Sequence, residues 1–237
     1  MDDSRNPNIQ MLELAVEFLG ELTERLVFVG GCTVGILISD DTAPTIRVTQ
    51  DVDVIADVDL KGYYSLQECL RSRGFYEDQR EEAPICRWRK GNLTLDVMPT
   101  DPNVLGFGSE WFKIALDTAQ LVSLPSGKQI SMIATSSFIA CKFSAFESRG
   151  EEDYLLSQDI EDVVALLDGR TEIVEEIISS DKKLKGYLIG CFDRLLKDDR
   201  FLEALPGIMP GDKASQARVP IIISRIETIL KQSEEKK

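Results

Sequence analysis

The sequence predicts an α+β protein: an N-terminal half with a mixed β-sheet and flanking helices, then an all-helical C-terminal half. Three observations carry that reading. Strand-length apolar runs are interspersed with helical patterns up to about residue 134. Helical periodicity accounts for nearly everything beyond it. Two runs in the first half interrupt their apolar pattern with aspartates, Asp51-Val52-Asp53-Val54 and Leu95-Asp96-Val97. The division gives two domains, 1–134 and 135–237.

Each element has its own signal. Residues 9–25 place apolar side chains three and four apart, as an amphipathic helix requires. Residues 26–29 form a short buried strand, turned by Gly30-Gly31 into a second helix over 32–38. Residues 40–44 carry loop chemistry. A strand over 52–58 precedes a helix over 63–73, which Gly74 ends. Residues 85–89 and 93–98 pair around the turn Lys90-Gly91-Asn92, and 121–124 with 129–133 around Pro125-Ser126-Gly127-Lys128. Thr135-Ser136-Ser137 offers an N-cap to a helix over 138–149. Further helices are expected over 157–168, 171–179, 181–199 and 214–232. The stretch 206–211, with Pro206, Gly207, Pro210 and Gly211, is a break, and the tail 233–237 reads as disordered.

Composition excludes whole classes of chemistry. The 237 residues contain no histidine. Ser-His-Asp and Cys-His catalysis, HExxH zinc sites and imidazole general bases are therefore ruled out. Five scattered cysteines with no CxxC pair support neither a zinc knuckle nor a disulfide framework, and a reducing cytoplasm fits them. The formal charge of −14 argues against indiscriminate coating of nucleic acid. No apolar run is long enough to span a bilayer, so no membrane partner is expected. The first residues show no secretory n-region and h-region.

The aspartates hold the most chemistry. Residues two apart on a strand point the same way, so Asp51 and Asp53 share one face while their Val and Ile neighbours turn to the core. Like charges side by side in an apolar strand are costly unless a cation neutralises them. Hard divalent ions take carboxylate oxygens, so Asp51, Asp53 and Asp96 read as a Mg2+ site, of two ions, with Mn2+ as an alternative. A DxD pair also arises on edge strands that merely face water. Gly30-Gly31 lets backbone N–H groups approach phosphate oxygens at a helix N-terminus, or simply makes a tight turn.

Val29-Gly30-Gly31, Asp51-Val52-Asp53-Val54 and Leu95-Asp96-Val97, in that order, resemble the nucleotidyltransferase superfamily pattern hG[G/S], [D/E]h[D/E]h, h[D/E]h. The gap from Gly31 to Asp51 is longer than in most members, and residues 39–49 account for it. Lys142-Phe143-Ser144-Ala145-Phe146-Glu147-Ser148-Arg149, followed by Asp159-Ile160-Glu161-Asp162, looks like the K-x-x-A-x-x-x-R and D-x-x-D helices of AbiEii-type nucleotidyltransferases. The resemblance covers roughly residues 26–168. It implies a Mg2+-dependent enzyme that transfers NMP from an NTP to a hydroxyl and releases pyrophosphate. Asp51, Asp53 and Asp96 would be catalytic, with Gly30, Gly31, Lys142, Arg149 and Asp159 at the nucleotide. The helical domain would complete that site. An RNA acceptor such as tRNA, or a protein side chain (AMPylation), and a toxin role with a cognate antitoxin protein are also implied. A non-catalytic nucleotide-binding module, and a phosphotransferase or nuclease on the same metal site, are the competing classes.

Lys142 and Arg149 are two helical turns apart and share a face, as do Asp159 and Asp162. Each also reads as a solvated helix charge. The run Arg87-Trp88-Arg89-Lys90 fits nucleic-acid contact, and equally an alternating amphipathic strand. Residues 151–181 hold 11 acidic and one basic residue, and 182–237 hold 12 basic and 8 acidic. A polynucleotide would favour the second segment, near Lys182, Lys183, Lys185, Arg194, Lys197 and Arg200.

Overall fold

The computed structural model describes residues 6–149 and 153–235; the last two residues of the expected disordered tail lie outside them. The chain forms two compact units. One runs up to Gly35 and resumes over Arg47–Ala134; the other comprises Ile36–Ile46 and the chain from Thr135 onward.

In the first unit, Asn6 caps helix α1 (Pro7–Leu19), its side chain accepting from the Asn8 N–H, with Pro7 in the first turn. A 3-10 stretch, Gly20–Arg25, replaces the last part of the expected helix. Strand β1 (Val27–Val29) is followed by a 3-10 turn, Gly31–Thr33, and the four-residue α2 (Val34–Leu37). Then come β2 (Val52–Ala56), α3 (Leu60–Ser72), β3 (Tyr76–Glu77), β4 (Arg87–Lys90) and β5 (Leu93–Pro99). Two short helices, α4 (Pro102–Leu105) and α5 (Phe112–Asp117), precede the hairpin β6 (Gln120–Ser123) and β7 (Gln129–Met132). The seven strands lie in the order β3-β4-β5-β2-β1-β7-β6. β2 runs parallel to β5 and β1 to β7; the remaining pairs are antiparallel. Val52, Val54, Ile55, Leu95 and Val97 are buried, which anchors the two aspartate-bearing strands at the centre of the sheet.

The second unit is helical: α6 (Thr135–Arg149), α7 (Gln158–Gly169), α8 (Ile173–Ser179), α9 (Lys182–Lys197), α10 (Asp199–Ile208), α11 (Lys213–Gln216) and α12 (Val219–Glu235). α6 packs on α7 and α9, and α12 on α7, α8 and α9. Three expectations are corrected. Pro206 lies within α10, near its C-terminal end, so the break narrows to 209–212. The helix expected over 181–199 stops at Lys197, because Asp198 caps the next one through the Arg200 N–H. Residues 233–235 continue α12 rather than fraying.

The segment Ile36–Ile46 is fastened into this unit by an arginine clamp. Arg218 donates to Asp168 at 2.7 Å, to Asp40 at 2.6 Å and to the Thr42 hydroxyl at 2.9 Å. Arg225 donates to the Leu167 and Asp168 carbonyls. The Ser39 and Asp40 N–H groups donate to the Gly169 carbonyl, where any Cβ would stand 2.9 Å from Ile38.

Candidate active site

The glycine pair and the strand carboxylates meet at one place in the first unit. Gly30 ends β1 with φ +75°, a conformation that L side chains rarely adopt. A Cβ there would lie 2.0 Å from an Asp53 carboxylate oxygen. Glycine is thus required twice over, by its backbone angle and by the carboxylate pressed against it. Gly31 is buried and opens the 3-10 turn, which Thr33 closes by donating to the Gly30 carbonyl at 2.8 Å. The helix expected over 32–38 is therefore this turn plus α2, too short for a helix N-terminus to contribute much field.

Asp53 lies opposite Val29 of β1 and alongside Asp96 in the parallel β2–β5 register. Asp51 sits just ahead of β2. Asn8 of α1 aims this entrance: it donates to the Arg47 carbonyl at 3.0 Å and accepts from the Thr49 N–H at 2.9 Å. The Thr49 hydroxyl then donates to the Asp51 carbonyl. Asn8 is almost fully buried, so its amide acts on the backbone that carries Asp51 and not on a ligand.

Arg87 completes the site. It pairs with Asp96 across the β4–β5 register and forks onto it, Nε to Oδ1 at 2.8 Å and Nη2 to Oδ2 at 2.7 Å. Nη2 also donates to Asp51 Oδ2 at 2.6 Å. One guanidinium thereby serves two carboxylates. Asp96 is 9% exposed, Arg87 21% and Asp51 31%. Burial pushes the Asp96 carboxyl up, more than the Arg87 guanidinium pulls it down. The same Asp96 bonds push Arg87 further up, so the cation stays charged throughout. Among the described residues, no three Asp, Glu or Cys side chains are grouped as a ready-made ion cage. The donor set of three carboxylates nevertheless suits a hard divalent cation, provided Arg87 moves aside.

Alternation on β4 explains the rest of its basic run. Trp88 is fully buried and cannot stack on a base; Arg71 covers its ring at 5.5 Å. Lys90 lies 4.3 Å from the Phe18 ring centroid. Arg87 alone points its charge at the aspartates, and sequence reasoning did not place it there. The signal that could have found it is the turn Lys90-Gly91-Asn92, whose register sets Arg87 opposite Asp96.

The other expected nucleotide contacts gather in the second unit. Lys142 Nζ lies 3.2 Å from Asp159 Oδ1 and 2.7 Å from Asp162 Oδ2, over the Phe138 ring. Arg149 pairs with the other Asp159 oxygen. Lys142 is 13% exposed and both aspartates under 5%. In the C-terminal basic segment, Arg194 pairs with Glu147, Lys197 with Asp193 and Arg200 with Asp198.

No protein-family model matches the chain, and no curated protein matches it in sequence. Solved structures share its fold, two of them from Helicobacter pylori. The crystal structure of JHP933 from Helicobacter pylori aligns with a TM-score of 0.52 at 12% identity, covering 97% of this chain and 94% of that one. That of a putative nucleotidyltransferase from H. pylori aligns at 0.53 and 12%, covering 96% of each. The chain is therefore a mixed α+β protein of nucleotidyltransferase-like fold with a helical C-terminal region. No helix among the described residues is long and apolar enough to cross a membrane.

Proposed function

We propose that this chain is a Mg2+-dependent nucleotidyltransferase. The observation that carries the reading is the convergence of Asp53 on Gly30 and Asp96 across two central parallel strands, with Asp51, just ahead of the first, sharing Arg87 with Asp96. In the reaction, an acceptor hydroxyl oxygen bonds to the α-phosphorus of an NTP, the α–β phosphoanhydride bond breaks, and pyrophosphate leaves with that electron pair. The hydroxyl proton passes to a carboxylate or to solvent. Asp51, Asp53 and Asp96 would hold the metal, which when bound neutralises phosphate charge and lowers the pKa of the acceptor hydroxyl. The Gly30-Gly31 backbone, with no side chains of its own, would let the phosphates approach beside the Asp53 carboxylate. Lys142, Arg149 and Asp159 are read as nucleotide contacts by their resemblance to the AbiEii-type motifs. On the same resemblance, the acceptor is an RNA hydroxyl such as a tRNA 3′ end, and the chain acts as the toxin of a toxin–antitoxin pair.

The test is transfer of label from each α-labelled NTP to total tRNA or to lysate protein. Asp51→Ala and Asp53→Ala are expected to abolish transfer while retaining the wild-type melting temperature. Undiminished transfer by both would sink the metal assignment; label on protein instead of RNA would make the enzyme an AMPylator.

A further inference from the structure

Resting on the metal-dependent reading above, we propose that Arg87 is a built-in placeholder cation, exchanged for the metal when nucleotide arrives and then pairing with the triphosphate. Arg87 engages both oxygens of Asp96 and one of Asp51, the same atoms a divalent ion would take. A metal ion and a guanidinium cannot both sit on these oxygens without strong mutual repulsion. Metal binding therefore requires that Arg87 leave.

Three features make the exchange feasible. Arg87 sits on β4, whose alternation needs only Trp88 inside, so its side chain can rotate without opening the core. It borders a solvent-open cavity of about 370 Å³ lined also by Arg80, Glu81, Glu82 and Ala83. That space receives a displaced guanidinium. Finally, the planar fork that matches a carboxylate also matches a phosphate.

Charge decides where Arg87 goes. Free metal would evict a cation from two carboxylates and give it no new strong partner beyond the exposed glutamates. A metal–NTP complex brings a cation for the aspartates and phosphate oxygens for the guanidinium, so both sets of charges remain paired. The consequence is positive coupling: nucleotide tightens metal binding and metal tightens nucleotide binding, by the same factor. Arg87 would thus bar futile occupation by metal alone and reward the complete substrate.

The experiment is calorimetric titration of Mn2+ into the full chain, alone and with the α,β-methylene analogues of ATP, GTP, CTP and UTP in turn. Wild type, Arg87→Gln and Arg87→Lys are compared. In wild type, Mn2+ alone should bind weakly and the matching analogue should tighten it at least about tenfold, a coupling of ordinary allosteric size. In Arg87→Gln, Mn2+ alone should bind about 10- to 100-fold tighter, as changes beside a metal's ligands typically shift affinity. The analogue's enhancement should shrink towards none. Arg87→Lys keeps the charge without the fork and should fall between, which preserves the test if the glutamine variant folds poorly. Mn2+ affinity unchanged in both variants, with coupling intact, would overturn the placeholder role and leave the metal reading standing. Absence of Mn2+ binding in all three proteins, with every analogue, would overturn both.

Discussion

Two charge clusters, one in each unit, are built from nearly the same groups and differ in balance. In the first unit, among the described residues, one guanidinium, Arg87, answers both Asp51 and Asp96, and Asp51 remains about one-third exposed. In the second, Lys142 and Arg149 answer Asp159 and Asp162, with Lys142 and both carboxylates nearly sealed. A balanced, enclosed set is a brace, because removing either partner strands a buried charge. A set short of positive charge and open to water is prepared to receive a cation. Any phosphate contact by Lys142 must therefore compete with two aspartates already in place, whereas a cation entering at Asp51 and Asp96 supplies what that site lacks.

The largest effect that separates the two is structural. Lys142→Met leaves two carboxylates buried beside an apolar side chain and should cost about 3–5 kcal/mol of stability. Arg87→Gln strands one buried carboxylate, Asp96, while Asp51 reaches water, so it should cost less, about 1–3 kcal/mol, and Mg2+ should restore part of the loss. Thermal unfolding with and without Mg2+ reads both. Equal losses, or a Mg2+ response in Lys142→Met alone, would reverse the contrast.

Next comes Gly30→Ala. Its methyl would collide with the Asp53 carboxylate, and a displacement on the order of 1 Å typically costs about 100-fold in rate. Transfer should fall accordingly while the second unit's helices keep their amide-exchange protection. An active Gly30→Ala variant would show that Asp53 needs no fixed position.

A smaller effect concerns pH. The Thr42 hydroxyl and Arg218 hold the Asp40 carboxyl well below its ordinary value of 3.8. A depressed carboxyl adds stability that is present above pH 3.8 and lost as the pH falls towards its folded value. Asp40→Asn should lower stability at neutral pH and flatten the acid limb of the stability curve below about pH 4, so that the two proteins converge as the pH falls. The smallest concerns thiols. Burial pushes Cys86 up to about 12 and Cys191 up to about 11, so neither should react with iodoacetamide at pH 8 in the native protein. Rapid alkylation of Cys86 would mean that β4 opens readily.

Much of this architecture is legible in the sequence because it is written at periods of two and 3.6. Asp51 and Asp53 share a face for no reason beyond strand geometry, and the valines between them identify the buried side. What escaped depends on partners that lie outside the element itself. Whether Arg87 faces nucleic acid, solvent or a carboxylate is decided by its register against Asp96, and one strand's alternation cannot choose among them. Residues 40–44 read as a local loop, yet Arg218, far along the chain, captures it through Asp40 and Thr42. The two-residue β3 and four-residue α4 are too short to establish a period. Pro206 looked like a breaker, but it falls near the C-terminal end of α10, with only Gly207 and Ile208 following it in the helix.

Pyrophosphate release tests the central claim most directly. Wild-type protein, Mg2+, the four NTPs and total RNA should yield pyrophosphate in step with labelled RNA, and chelation by EDTA should stop both. Asp53→Asn, melting at the wild-type temperature, should yield neither. Release of nucleoside diphosphate and phosphate instead, or unimpaired pyrophosphate release by Asp53→Asn, would contradict the assignment of these aspartates to nucleotidyl transfer.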